Sequence, residues 1–191
     1  PLRVLPDEIA RLRDLQVLTL NGNGLQQLSP AVCDLPALRV LNLFNNDLRS
    51  LPTGLGRLSQ LQSLTLGVNP LPALPLDLGA CRALRELNLA NMPALDFAQA
   101  WPLICQLHGL EKLACYQNPL GQLPETVGQL KQLRVLRLFA CQLTQLPASL
   151  AALTQLQALD LRANQLREFP FPPSCFPHMQ RLDLSFNPLA G

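Results

Sequence analysis

The chain has 191 residues, enough for one domain with a substantial core, and 48% of them are apolar although only 5% are aromatic, so leucine must fill the interior. The formal charge of +2 and the lack of any block of like charges argue against nucleic acid as a partner. No uninterrupted apolar run of about 18 residues occurs, so we expect no membrane span.

Motifs of common enzyme sites are missing from the sequence. It contains no glycine-rich phosphate loop, no nucleophile elbow and no HExxH motif, so we expect no catalytic residues, no cofactor and no small-molecule substrate. The six cysteines occur singly, without CxxC spacing, and the two histidines stand far apart, so we expect no metal site. We interpret the cysteines as reduced thiols of an intracellular protein.

An apolar pattern returns eight times along the chain, at steps of 23, 23, 23, 26, 23, 23 and 23 residues. Each segment begins with an alternation, usually LxL, that directs both apolar side chains to one face of a short strand. The segments are LTLNGNGL from Leu18, LNLFNNDL from Leu41, LTLGVNPL from Leu64, LNLANMPAL from Leu87, LACYQNPL from Leu113, LRLFACQL from Leu136, LDLRANQL from Leu159 and LDLSFNPL from Leu182.

The residues between these strands predict a return path. Proline sets a turn-like entry, and leucines three apart, such as Leu55, Leu58 and Leu61, turn one side of a short helical segment inward. A single repeat cannot bury its strand face, so stacked repeats should form a parallel sheet along a concave wall. An asparagine where each strand ends should satisfy backbone groups of its own and the adjacent repeat. This structural ladder comprises Asn23, Asn46, Asn69, Asn118, Asn164 and Asn187.

The cysteines have two kinds of position in the repeat. Three of them replace core leucines or a ladder asparagine, and we expect them to be buried. The other three fall at positions that we interpret as outer and less constrained. The first group is Cys81, Cys115 and Cys141, and the second is Cys33, Cys105 and Cys175.

The repeat at residues 87–112 is irregular because it has 26 residues. Met92 stands where asparagine is expected and has no amide, so the ladder should be interrupted there. Pro93 and Pro102 bracket the extra material, which includes Phe97 and the only tryptophan, Trp101. We favour inward packing of both rings in the wider repeat. The alternative is an outward loop that offers Trp101 to a partner.

The pattern LxLxxNxLxxLPxxLxxLxxL resembles the leucine-rich repeat, and the resemblance covers essentially the whole chain. Its 23-residue LPxxLxxL form is similar to the intracellular class, which includes Ras-group-related, Scribble-like and bacterial effector proteins. The resemblance implies an α/β solenoid of about eight repeats, with parallel strands on the concave face and short helical or 3-10 segments on the convex side. It also implies one domain over residues 1–191, which we interpret as part of a longer protein.

The resemblance implies a non-catalytic module that binds a partner protein through its concave face. The alternative is the substrate-targeting domain of a multidomain enzyme, such as a bacterial effector ubiquitin ligase or a leucine-rich-repeat kinase. The location would be the cytoplasm, or the host cytosol for a secreted effector. Besides the partner protein we expect no nucleic-acid or membrane partner, while uncapped solenoid ends would allow end-to-end self-association.

Side chains beside the strand leucines should face outward on the concave wall. The amino-terminal half of this face is rich in threonine, asparagine and glycine, whereas the carboxy-terminal half combines aromatic and charged residues, a composition typical of interfaces. The alternative is that these side chains only cover the sheet and pair across strands. Our candidate partner-binding residues are Phe44, Tyr116, Phe139, Arg137, Asp160, Arg162 and Asp183, with Trp101 as a secondary candidate.

Overall fold

The structure is a computed structural model that describes residues 3–190. Eight strands lie side by side in chain order in one parallel sheet, which confirms the predicted solenoid. Each strand has three residues, and the pairing puts Leu41 directly between Leu18 and Leu64. The strands are β1 (Val17–Thr19), β2 (Val40–Asn42), β3 (Ser63–Thr65), β4 (Glu86–Asn88), β5 (Lys112–Ala114), β6 (Val135–Arg137), β7 (Ala158–Asp160) and β8 (Arg181–Asp183).

Leucine forms the interior, as the alternation predicts. The central leucines of the inner strands, such as Leu41, Leu64 and Leu136, are at most 2% exposed. Burying such a side chain contributes about 1.5–3 kcal/mol, and one repeat obtains that burial only from its neighbours. The stack is therefore held together by a continuous row of leucines rather than by any single repeat.

Short 3-10 helices form the return path of seven repeats in the described chain. Proline directly precedes several of them, with φ between −66° and −74° before Leu76, Glu125 and Ala148. This is the backbone angle that the proline ring fixes, so the sequence sets the entry to each turn. The 3-10 helices are Asp7–Arg11, Pro30–Asp34, Leu55–Arg57, Leu76–Ala80, Glu125–Gln129, Ala148–Ala152 and Pro173–Cys175.

The irregular repeat contains the α-helix α1 (Phe97–Ile104) where the other repeats have a 3-10 helix. The carboxylate of Asp96 caps it by accepting hydrogen bonds from the N–H groups of Ala98 and Gln99. Pro102 lies inside the helix rather than at the edge of the extra material. Among residues 3–190, no helix is both long and apolar enough to cross a membrane.

The aromatic residues of α1 pack toward the core. Trp101 is 5% exposed and Phe97 is half-buried, with their ring centroids 6.0 Å apart. The additional residues of this repeat widen its return path, and the indole occupies the extra interior space. This burial corrects the choice of Trp101 as a secondary partner-binding candidate, since the side chain is not available at the surface.

The asparagine ladder links neighbouring repeats. The Asn69 side-chain amide donates hydrogen bonds to the carbonyl oxygens of Leu43 and Leu66 at 2.9 and 2.7 Å, and its oxygen accepts from Leu48 N–H at 3.1 Å. Such bonds satisfy polar backbone groups in an interior that water does not reach. The side chains of Asn23, Asn46, Asn118, Asn164 and Asn187 also donate to backbone carbonyl groups near the ends of the strands.

Two repeats have another residue at the ladder position. Met92 is fully buried, but its thioether replaces the amide, so only its backbone N–H takes part, donating to Asn118 Oδ1 at 2.7 Å. Cys141 partly replaces the asparagine, because its thiol donates to the carbonyl oxygen of Cys115 at 3.2 Å. The ladder is therefore interrupted at Met92 and weakened at Cys141.

Cys33 and Cys105 are each only 2% exposed, so the expectation of outer positions was wrong for both. Each lies seven residues before the next strand, a column that otherwise holds small residues at Gly56, Gly79 and Gly128. A Cβ at Gly56 would lie 2.5 Å from the carbonyl oxygen of Asp77. The column therefore faces the return path of the next repeat, where only a small side chain fits. Cys175 is half-buried, while Cys81, Cys115 and Cys141 are buried as expected.

The residue before each ladder position turns the chain off the strand in the left-handed region of φ. The angle lies between 49° and 70° in all eight repeats, and the N–H of this residue commonly bonds the next repeat, as Val68 N–H does to the Ala90 carbonyl at 2.9 Å. Glycine and asparagine tolerate this conformation, whereas the β-branched side chain of Val68 is strained in it. The column comprises Gly22, Asn45, Val68, Asn91, Gln117, Ala140, Ala163 and Phe186.

Candidate binding surface on the concave sheet

The exposed side of the sheet carries the residues that alternate with the buried leucines. In β6, Leu136 points into the core while Arg137 is exposed. The aromatic candidates lie two residues beyond their strands, where the chain starts to turn away. Their side chains therefore lie at one edge of the concave face, and those of Tyr116 and Phe139 belong to adjacent repeats.

Tyr116 and Phe139 form a stacked pair, with ring centroids 4.4 Å apart and an angle of 12° between the ring planes. Both side chains are half-buried. The guanidinium carbon of Arg162 lies 5.2 Å from the Phe139 centroid, within the range of a cation–π contact. Three successive repeats therefore contribute to one continuous aromatic and cationic surface.

The position of Arg162 is set by two carboxylates. Its Nε and Nη2 atoms lie 2.9 and 2.7 Å from the Asp160 oxygens, and Nε lies 3.5 Å from Asp183 Oδ2. Hydrogen bonding from Ser185 is the main influence that lowers the pKa of the Asp183 carboxyl below 3.8, with a contribution from Arg162. The hydrogen bond with Asp160 raises the pKa of Arg162. Both shifts favour the charged forms of Arg162 and Asp183, and the contacts with the two carboxylates hold the guanidinium in place.

Asp160 and Asp183 also have a structural role. The carboxylate of each accepts a hydrogen bond from the backbone N–H two residues further on, at Arg162 and Ser185 respectively. The amide oxygen of Asn42 does the same for Phe44 in β2's repeat. The acidic side chains thus stabilise the chain as it leaves the sheet, in addition to any contact with a partner.

Beside the stacked rings lies an open groove of about 380 Å³, which we call the aromatic groove. Arg137 is exposed in it and makes no ion pair with any of residues 3–190. The groove is lined by Tyr116, Val135, Leu136, Arg137, Phe139, Ala158, Leu159, Asp160, Arg162 and Arg181. Sequence reasoning did not select Val135, Ala158 or Arg181, although all three occupy the first position of a strand.

Phe44 lies apart from the aromatic groove, on the repeat of β2, three repeats before Tyr116. A Cβ at Gly67 would lie 3.2 Å from Phe44 Cδ2, so the half-buried ring covers the glycine of the next repeat. The structure brings together Tyr116, Arg137 and Phe139 with the Arg162 ion cluster, but it does not bring Phe44 to them. The role of these residues in binding stays a prediction.

Comparison with known proteins identifies the family. A family model described as a leucine-rich repeat region matches residues 1–114. A leucine-rich repeat protein of Leptospira interrogans is 33% identical, with a TM-score of 0.87 over 98% of this chain and 47% of that chain. The chain therefore belongs to the leucine-rich repeat proteins. Among curated protein sequences, none matches this chain.

Two similar structures contain ligands of different classes. The ectodomain of the Arabidopsis receptor kinase HAESA, in complex with an IDA peptide hormone, is 28% identical with a TM-score of 0.73, covering 96% of this chain and 32% of that chain. TLR13, in complex with the RNA ssRNA13, is 32% identical with a TM-score of 0.82, covering 97% and 27%. This chain spans about half or less of the length of all three proteins. Because one ligand is an RNA, the fold gives no support to the expectation that nucleic acid is not a partner.

Proposed function

We propose that this chain is a non-catalytic module that binds a partner protein through the carboxy-terminal half of its concave face. The observation that carries the proposal is the stacked Tyr116–Phe139 pair, with Arg162 fixed against it on an open surface. Aromatic residues and arginine are the side chains most often found at the energetic centre of protein interfaces.

The arrangement of the site supports binding in two ways. The rings are held by stacking and Arg162 is held by Asp160, so little side-chain freedom remains to be lost when a partner docks. The neighbouring cation of Arg137 is exposed and free of ion pairs in the described chain. An incoming group can therefore contact an apolar surface and a charge without breaking an existing bond.

A protein partner is favoured over nucleic acid because the groove contains negative charge. Asp160 and Asp183 lie on neighbouring strands and would repel a phosphate backbone, which prefers a continuous basic surface. The free cysteines, five of them buried, support a reducing compartment such as the cytoplasm.

Site-specific photocrosslinking tests the proposed function. A benzophenone amino acid replaces Phe139 in the aromatic groove, Phe44 in the amino-terminal half of the concave face, or Leu76, which is 86% exposed on the return path. We expect one protein to crosslink at position 139 and not at position 76, and the purified protein to bind the native chain. Crosslinking at position 76 alone would move the binding surface to the convex side and contradict the proposal.

A further inference from the structure

Charged groups on and beside strands β4 to β6 form ion pairs with one another. Glu86 pairs with Lys112 across β4 and β5. Glu111 lies between Arg85 and Arg134, at 3.7 and 3.9 Å. Each of these groups is at least 40% exposed, so the pairs are weak individually, but every group among them has a partner of opposite charge.

The aromatic groove differs because it contains arginines without an ion-pair partner among residues 3–190. Arg162 is held by Asp160 and Asp183, which leaves one extra negative charge in that cluster. Arg137 and Arg181 line the same groove, are exposed, and form no ion pair within residues 3–190. The five charged groups together carry a surplus of one positive charge. Arg137 is its more available donor, because the charge of Arg181 also contributes to the lowered pKa of Asp183.

The apolar part of the groove lies next to these cations. Tyr116 and Phe139 present stacked rings, and Val135 and Ala158 extend the apolar lining. A volume of about 380 Å³ is near the lower end of the range for small-ligand pockets. It has room for one or two side chains of a partner but not for a folded element.

We propose that the aromatic groove recognises a protein segment in which an aspartate or glutamate lies close to an aromatic or large aliphatic side chain. This inference rests on the proposed function and specifies its partner. The carboxylate pairs with Arg137, and with Arg181 where it reaches, while the apolar side chain packs on Tyr116 and Phe139. Arginine binds a carboxylate through two parallel N–H donors, which gives the contact direction as well as attraction.

Charge complementarity selects this occupant over two others. A basic segment would face the two unpaired arginines and would have to compete with Arg162 for Asp160. A nucleic acid would bring several phosphates, and those beyond the first would meet Asp160 and Asp183. A single carboxylate beside an apolar group matches one surplus cation beside an apolar surface.

Peptide selection tests the inference. A displayed library of random 12-residue peptides is selected on the immobilised 191-residue chain, and the selected peptides are measured by fluorescence polarisation. We expect an acidic residue near an aromatic or large aliphatic residue, and a loss of at least about tenfold in affinity for Arg137→Glu. Lys131→Glu is the matched control, because it makes the same charge change at an exposed return-path residue and should leave affinity unchanged.

A charge swap makes the test specific. Replacing the peptide's acidic residue by lysine should abolish binding to the native chain and restore binding to Arg137→Glu. The inference would be overturned if the selected peptides showed no preference for acidic residues or if Arg137→Glu left their affinity unchanged. It would also be overturned if none of them required Tyr116 and Phe139 for binding. A labelled single-stranded RNA oligonucleotide that binds through Arg137, where no peptide does, would also overturn it in favour of nucleic acid.

The two proposals fail in different ways. If a protein crosslinked at position 139 binds native and Arg137→Glu chains equally, the concave binding function stands and the acidic partner class is wrong. If nothing crosslinks at position 139, the proposed function itself fails.

Discussion

The interior and the concave surface of this chain follow opposite rules. The interior is nearly the same in every repeat, since Leu41, Leu64 and Leu136 occupy equivalent buried positions. The concave surface changes along the sheet, from Thr19 on β1 to Asp183 on β8. Repetition therefore stabilises the solenoid, and the side chains that do not repeat give one part of it a distinct chemistry. Substitutions should separate the two, with interior changes acting on stability and surface changes acting on binding.

The largest loss of stability should follow Asn69→Ala. The substitution removes bonds to three backbone groups of Leu43, Leu48 and Leu66, and each unsatisfied buried group costs about 1–3 kcal/mol. We expect the free energy of unfolding in urea to fall by at least about 3 kcal/mol. Asn21→Ala, at an exposed position, is the control and should change stability little. A small effect at Asn69 would contradict the ladder as a source of stability.

A slightly smaller loss should follow Trp101→Ala, because it leaves a cavity beneath α1. Such truncations cost about 3–5 kcal/mol. Trp101→Phe keeps a ring in the site and should retain much of the stability. Urea unfolding measures both variants. An alanine variant as stable as the native chain would mean that α1 does not contribute to the core.

A gain in stability should follow Val68→Asn. Val68 has φ of 58°, and asparagine adopts this left-handed conformation with less strain than a β-branched residue, so we expect a gain of about 1 kcal/mol. Val40→Asn makes the same chemical change at a half-buried strand residue outside this conformation, and should destabilise. The urea midpoints of the two variants should move in opposite directions. A decrease for both would show that the backbone conformation of Val68 is not strained.

The smallest effect concerns acid stability. Because the folded-state pKa of Asp183 is below 3.8, its contribution is present above about pH 4 and disappears as the pH falls through the folded-state pKa. Asp183→Asn should therefore flatten the loss of stability below pH 4, as followed by circular dichroism. Asp14→Asn, at an exposed residue without a partner in the described chain, is the control. If Asp183→Asn left the pH dependence of stability unchanged, the lowered folded-state pKa of Asp183 would be contradicted.

The fold was predictable from the sequence because each physical requirement recurs every 23 residues. The extra residues of one repeat were ambiguous, since three residues fit either a bulge or a helical turn. A signal for α1 was nonetheless present, because Asp96 and Gln99 form a helix-capping pair with Gln99 Nε2 donating to Asp96 Oδ2 at 2.8 Å. The small-residue column that buries Cys33 and Cys105 was also visible, seven residues before successive strands.

The candidate site was predictable in position but not in contacts. Alternation places Arg137 and Asp160 as neighbours on the open face. Sequence could not decide that Asp160 pairs with Arg162 of its own repeat rather than with Arg137, because that choice depends on side-chain conformations. Nor could it distinguish Phe139, stacked on Tyr116, from Phe44, which covers Gly67. Among residues 3–190, Arg137 is without an ion pair in the aromatic groove because Asp160 pairs with Arg162 instead.

Comparing Phe139→Ala with Phe44→Ala tests the central claim most directly. Both remove a half-buried phenylalanine from the concave face, one within the aromatic groove and one outside it. Affinity for the protein crosslinked at position 139 is measured by isothermal titration calorimetry, with circular dichroism to confirm folding. We predict that Phe139→Ala weakens binding by about 30-fold or more, as at an interface hot spot, while Phe44→Ala leaves it nearly unchanged. Equal losses, or a larger loss for Phe44→Ala, would contradict the assignment of binding to the carboxy-terminal half.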